Sequence, residues 1–466
     1  MTSNASNVRR SPLLSGKLRH SVLALALPAL GEQMLNFCVG LFDTFLAGQV
    51  SGAGGETGVY TSTVGIASYM SWLATLLFAL VGAGTTALVA RHWGQGLYHE
   101  GRRFASGSMF LAAPLGLAVF ALLYLAAPVY ARLQNMHGES FDIAVHYLRT
   151  DAFGQLFFGF CLVGAAALRG AGDMRTPMLL LGAVNLFNML LASTLVFGWG
   201  GFEPWGIRGI VGGTVASRIL GGLLMLAVLA TGFNRSDLRI SFALPGWSDV
   251  RRILKIGGPA AIDGPLIWVG QSLFLMIIAR LDDVSHSKAY MAAHIIGMEV
   301  EALTYLPAVA WGYAAATLIG QCLGAGDIAR ARQAGHESVR QCALVAVVAS
   351  LVYVGCSASI YAVMTREPAV RAIGVPALRF LALYQVPLVV VIVYLTAMRG
   401  AGDTRSPLVI NVIGMVFIRL PVGYLCGVVL HGGLIGAWTG MMVDVALRAG
   451  AAAYFYTRGR WAHATV

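Results

Sequence analysis

The feature that most limits what this chain can become is a series of twelve apolar stretches, separated by short polar connections. They run roughly over 21–47, 60–90, 104–131, 141–168, 177–198, 209–232, 252–279, 289–322, 338–364, 374–398, 407–430 and 434–457. Stretches of about 20 residues or more match the thickness of a hydrocarbon core as helices, whereas a barrel strand needs only about 10 alternating residues. A backbone in lipid must satisfy its own hydrogen bonds, so the series predicts an all-α integral membrane protein. Composition excludes a soluble domain: 57% of residues are apolar, 11% are charged and the mean hydropathy is +0.72. The basic start, with Arg9, Arg10, Lys17 and Arg19, has the charge of a signal-peptide leader. The apolar stretch behind it is too long for one, holds carboxylates and lacks a cleavage site.

Orientation follows from the basic residues. With the N-terminus inside, 21 of the 32 Lys and Arg fall on that side and 6 on the other, the rest lying within spans. Both termini are therefore expected in the cytoplasm, with the chain in the inner (cytoplasmic) membrane. The net charge of +11 is then a topology signal, and no nucleic-acid partner is expected. All six cysteines lie in or near spans without metal spacing and are expected as free thiols. No Walker A, HExxH or GxSxG pattern occurs, so the reading is not an enzyme, takes no cofactor or resident metal, and acts as a monomer in the lipid bilayer.

An internal repeat divides the chain. Ala167-Leu-Arg-Gly-Ala-Gly-Asp-Met-Arg-Thr-Pro177 returns as Ala397-Met-Arg-Gly-Ala-Gly-Asp-Thr-Arg-Ser-Pro407, an offset of 230. The same offset relates Gly94 and Gly96 to Gly324 and Gly326, Arg149 to Arg379 and Arg218 to Arg448, while Pro28 and Pro259 differ by 231. Six spans per half is an even number, so the repeats are parallel. The expected organisation is an N-lobe over 1–240 and a C-lobe over 241–466, linked by the basic connection 232–255. The two Arg-Gly-Ala-Gly-Asp segments read as turns: glycine allows the reversal and the Asp can cap the next helix.

Within the first span, Glu32, Asn36 and Asp43 are spaced by four and seven, which at about 100° per residue puts them on one helical face. Carboxylates at membrane depth are costly and normally face a bundle interior or a wet cavity, so this stripe is the candidate site, with Pro28 a candidate hinge one turn earlier. Pro259 is followed by Asp263 as Pro28 is by Glu32, but Asp43 has no counterpart in the second half. Glu301, sharing its face with Tyr305, is preferred to Glu299 as a cavity residue, and Asp444 and Arg448 are expected to pair.

Leu27-Pro28, Gly40-Leu-Phe-Asp-Thr-Phe-Leu-Ala-Gly48, Leu323-Gly-Ala-Gly326, the twin turns and Leu420-Pro-Val-Gly-Tyr424 together resemble the multidrug and toxic compound extrusion (MATE) family over nearly the whole chain. The resemblance implies twelve transmembrane helices in two pseudo-symmetric six-helix lobes forming a V-shaped cleft. It also implies a secondary active antiporter that exports organic cations or amphipathic drugs in exchange for H⁺ or Na⁺ by alternating access. A lipid-linked precursor flippase of similar architecture is the alternative, although an anionic headgroup would call for arginines where this stripe is acidic. In the DinF-like branch the coupling Asp of the first helix matches Asp43, and an Asn of the fifth helix matches Asn188. The partner Asp four residues on is replaced by Ala192. The NorM-like acidic positions fall near Gly270 or Gln271 and near Leu388, without a carboxylate. Coupling is therefore assigned to Asp43, supported by Asn36 and Asn188, where a Na⁺ would sit if Na⁺ is the ion; Glu32, Asp263 and Glu301 are candidates for the absent charge.

Overall fold

A computed structural model describes residues 15–51, 59–134, 136–201, 203–241, 244–281 and 289–464. Arg9 and Arg10 of the basic start lie outside the described residues. The described residues form helices without strands, in the order α1 (Leu18–Ser51), α2 (Val59–Gly94), α3 (Tyr98–Leu133), α4 (Gly138–Gly170), α5 (Arg175–Phe197), α6 (Ile207–Thr231), α7 (Trp247–Ala279), α8 (Ala289–Gly324), α9 (Ile328–Met364), α10 (Pro368–Gly400), α11 (Arg405–Val429) and α12 (Gly433–Arg458). The first eleven are each long and apolar enough to cross a membrane. α12 has 26 residues, about 39 Å of helix, and spans as well despite carrying Asp444 and Arg448. The twelve-helix expectation holds.

Two elements depart from regular α-helix, each beside a proline. α10 tightens into a 3₁₀ turn at Ala382–Tyr384, ahead of Pro387, and α11 loosens into π turns at Ile413–Arg419 and Leu425–Val429, on either side of Pro421. Proline removes one backbone donor, and the freed carbonyls are satisfied by a change of pitch.

The repeat in the sequence is a repeat of backbone hydrogen bonds. The N–H of Asp173 donates to Leu168 O and that of Asp403 to Met398 O, while Gly172 and Gly402 donate to the carbonyls of Arg169 and Arg399. Gly172 and Gly402 have φ of +88° and +96°, a conformation open to glycine at little cost. Asp173 accepts from the N–H groups of Arg175 and Thr176, and Asp403 from Ser406, so each turn's Asp caps the following helix as its position suggested.

By packing, the chain forms two compact units. One compact unit comprises Gly31–Ala261; the other comprises the chain up to Leu30 together with Ile262–Val466. The reason lies in α1 and α7, whose opening turns are built into the opposite repeat. In the second unit Gln341 Nε2 donates to Arg19 O at 3.1 Å and Arg330 Nη2 to Gly16 O at 2.6 Å. In the first, Arg103 Nη2 meets Asp249 at 2.9 Å, and α7 runs so close to α2 that a Cβ on Gly84 would lie 2.5 Å from Ile253 O. Both boundaries fall two residues after a proline, Pro28 and Pro259.

Candidate functional site

The polar residues of the first unit fall into two groups. At the end of α4, Arg169 donates to Glu32 at 2.9 Å, with both side chains less than a tenth exposed. Arg169 opens the Arg-Gly-Ala-Gly-Asp turn, so the motif supplies a cation to α1 as well as a reversal of the chain. Glu32 is thereby drawn away from Asp43, to which it was assigned as a substitute partner. Eleven residues of helix, about 16 Å, separate the two carboxylates.

The second group surrounds Asp43. Asn188 Nδ2 on α5 donates to Thr214 Oγ1 on α6 at 3.3 Å, and Thr214 is close enough to Asp43 to act on its carboxyl electrostatically. The Thr214 hydroxyl donates to the Ile210 carbonyl at 3.1 Å. Asp43 Oδ1 and Asn188 Oδ1 are both buried and accept no hydrogen bond from the described residues. An orphaned buried acceptor is costly, so each of these oxygens is a candidate to take a proton or a hard cation. Asn36 stands apart: its side chain is exposed and accepts from Asn185 at 2.8 Å. Asn185 and Asn188, three residues apart, thus serve different neighbours.

One further α4 residue completes the surroundings. Asp151 is 5% exposed and holds Arg218 at 2.8 Å, with Ser71 and Gln155 donating to its other oxygen. Among the described residues of this unit, Glu32 has Arg169 and Asp151 has Arg218, while Asp43 forms no ion pair. The stripe on α1 points to Glu32 and Asp43; only the fold adds Asp151 and shows which of the three lacks a cation.

The Ala192 substitution has a steric explanation. α5 and α6 meet so closely there that a Cβ on Gly213 would lie 2.8 Å from Ala192 Cα, and one on Gly209 would lie 2.7 Å from Val196 N. A carboxylate at 192 has no room. Close small-residue packing has taken the position that the resemblance reserved for an acid.

The second unit shows the repeat with different chemistry. Arg399, opening the second turn, pairs with Asp263, reproducing the Arg169–Glu32 pair. Asn411 Nδ2 donates to both Asp263 oxygens at 2.9 and 3.1 Å and its carbonyl accepts from Arg448. Asp444 takes Arg448 at 2.6 Å, as expected from their spacing, and also Arg419 at 2.8 Å, which reaches on to Gln271. Asp263 therefore belongs to a closed chain of buried pairs. Glu301 is 6% exposed and accepts from Gln385 at 3.2 Å, whereas Tyr305, one turn along, is 44% exposed. Glu299 is exposed.

At the offset of 230, one of the differences between the repeats concerns the acid that holds an arginine. Arg218 corresponds to Arg448, but its carboxylate comes from α4 (Asp151) in the first unit and from the same helix (Asp444) in the second. Asp444 occupies the position of Thr214. With the carboxylate for Arg218 supplied from α4, α6 keeps a neutral hydroxyl, Thr214, near Asp43.

The family model described as MatE matches residues 28–194 and again 259–425, one match per repeat. The chain is 30% identical over 447 residues to a protein of Thermotoga maritima named probable multidrug resistance protein NorM, covering 96% of this chain and 93% of that one. Its fold is similar to a crystal structure of MATE in complex with MaL6, with a TM-score of 0.85 at 18% identity over 97% of this chain and 98% of that one. It is similar, with a TM-score of 0.87 at 17% identity over 98% and 100%, to a MOP superfamily transporter from Pyrococcus furiosus. That structure is described as having a binding pocket of reverse polarity that suggests a different function.

Proposed function

The chain belongs to the MatE family of membrane transporters, and from that premise we propose that it is a secondary active exporter of organic cations or amphipathic drugs, driven by inward movement of H⁺ or Na⁺. The name of the Thermotoga maritima relative supports the substrate class. The observation that carries the coupling is Asp43, a membrane-embedded carboxylate without an ion pair, with an orphaned buried oxygen, beside Thr214 and Asn188. A proton neutralises it outright. A Na⁺ would take the oxygens of Asp43, Asn188 and Thr214, a hard donor set suited to it.

Exchange follows from one group with two exclusive occupants. Loading of Asp43 from outside removes the negative charge that attracts an organic cation, and release of the ion on the cytoplasmic side restores it. Loading also biases bending of α1 at Pro28, where one backbone hydrogen bond is already absent, and so the alternation of access. Glu32, Asp263 and Asp444 hold the frame through their arginines.

The test is efflux of a cationic dye from vesicles carrying the purified chain, under a pH gradient and, in a parallel set, a Na⁺ gradient. The reading expects one gradient to drive efflux and Asp43→Asn to reduce it to the rate without a gradient. Undiminished driven efflux by Asp43→Asn would remove Asp43 from the coupling role.

A further inference from the structure

The first unit carries a second concentration of charge, away from Asp43. Residues 91–103 and 232–255 together hold eight Lys and Arg against three acidic residues. The connection between α6 and α7 is folded back onto α3 by specific bonds. Arg102 Nη2 donates to Asp237 O at 2.8 Å, the N–H of Ser241 donates to Ser106 at 2.8 Å, and the N–H of Arg235 donates to Asp173 at 2.9 Å. This closes a cleft of about 420 Å³ with His99, Arg102, Arg103 and Arg239 in its wall. The one acid lining it, Asp249, is 4% exposed and already held by Arg103. Arg239 is fixed through Nε to Thr231 O at 2.8 Å, which leaves its two terminal nitrogens for a ligand.

The same connection carries large apolar side chains in the open. Phe233, Leu244 and Trp247 are 85%, 77% and 77% exposed, and Leu244 borders the cleft. Arginines beside exposed aromatic and leucine side chains at the ends of membrane-spanning helices match the boundary between headgroups and hydrocarbon. Along α6, 17 residues, about 26 Å, separate Thr214 from Thr231, so this cleft lies at the other side of the membrane from the coupling site.

We propose that this cleft binds the phosphate headgroup of an anionic phospholipid, with Arg239 and His99 on the phosphate and Leu244 and Trp247 against the acyl chains. Basic pockets at the ends of spanning helices recognise such headgroups. The bidentate fork of arginine suits a phosphate diester. Because phosphate is the shared chemistry, soluble phosphate is the competing source, and the apolar wall favours the lipid.

The purified full chain in detergent, titrated with phosphatidylglycerol or with phosphatidylcholine of the same acyl chains and followed by native mass spectrometry, tests this. Phosphatidylglycerol should bind preferentially. Arg239→Gln should weaken it about fivefold, the factor for one surface charge, and Arg208→Gln at the other end of α6 should leave it unchanged. Quenching of Trp247 fluorescence by dibrominated phosphatidylglycerol, with Trp247→Phe as the blank, gives a second reading on the otherwise unmodified cleft. Equal binding of the two lipids, equal loss in Arg208→Gln, absence of Trp247 quenching, or displacement of the lipid by millimolar inorganic phosphate would each overturn the assignment.

Discussion

Glu32, Asp43 and Asp151 of the first unit lie within spanning helices, and their fates differ because their neighbours do. Glu32 is bound to Arg169 inside a well-packed helix end, where removal of either partner strands a charge. Arg169→Ala should therefore cost about 3–5 kcal/mol, lowering the melting temperature of the purified protein, and Glu32→Met with Arg169→Met should recover most of that loss. Asp43→Asn should leave the melting temperature unchanged or raise it, since no cation depends on Asp43. Similar destabilisation in both experiments would contradict the division of roles. Asp43 was legible in the sequence because a carboxylate on an apolar helix is conspicuous by itself, whereas Asn188 came from the family resemblance. The role of Glu32 was not, because its partner lies 137 residues away in a motif whose turn geometry already explained it.

At the scale of elements, small residues decide where helices may approach and so which side chains fit between them. α5 and α6 touch backbone to backbone along Gly209 and Gly213, and the contact at Ala192 excludes an acid. Gly213→Leu should force the helices apart at a cost of about 1–3 kcal/mol or more, read as loss of monodisperse protein on size-exclusion chromatography. Because α5 and α6 bring Asn188 to Thr214, driven dye efflux should fall in whatever protein remains folded. Gly-Gly in the sequence marks close packing; which neighbour comes close, and hence why position 192 is Ala, required the second helix to be in place. The pitch changes in α10 and α11 follow from Pro387 and Pro421, yet their placement of Gln385 against Glu301 and of Arg419 against Asp444 could not be read from proline alone.

For the whole molecule, the two repeats share a frame and diverge in where each arginine finds its acid. Thr214→Asp would give the first repeat the arrangement of the second, offering Arg218 a carboxylate on its own helix and placing a second negative group beside Asp43. Gradient-driven efflux should then drop to near the Asp43→Asn level while the protein stays folded; retention of full coupling would show that the neutral hydroxyl is not required. The sequence by itself determined the membrane-spanning helices, their number, the repeat, the capped turns and the short list of acids. These follow from local chemistry: hydropathy over a span, glycine at positive φ, a carboxylate beside a helix start. Tertiary structure alone decided that the opening turns of α1 and α7 pack into the opposite repeat. It also decided that Glu32 and Asp263 are held by the turn arginines, and that, of Glu32, Asp43 and Asp151 in the first unit, Asp43 is the one that pairs with no arginine among the described residues. A charge at membrane depth takes its role from whatever stands within about 4 Å of it, and those neighbours come from distant parts of the chain.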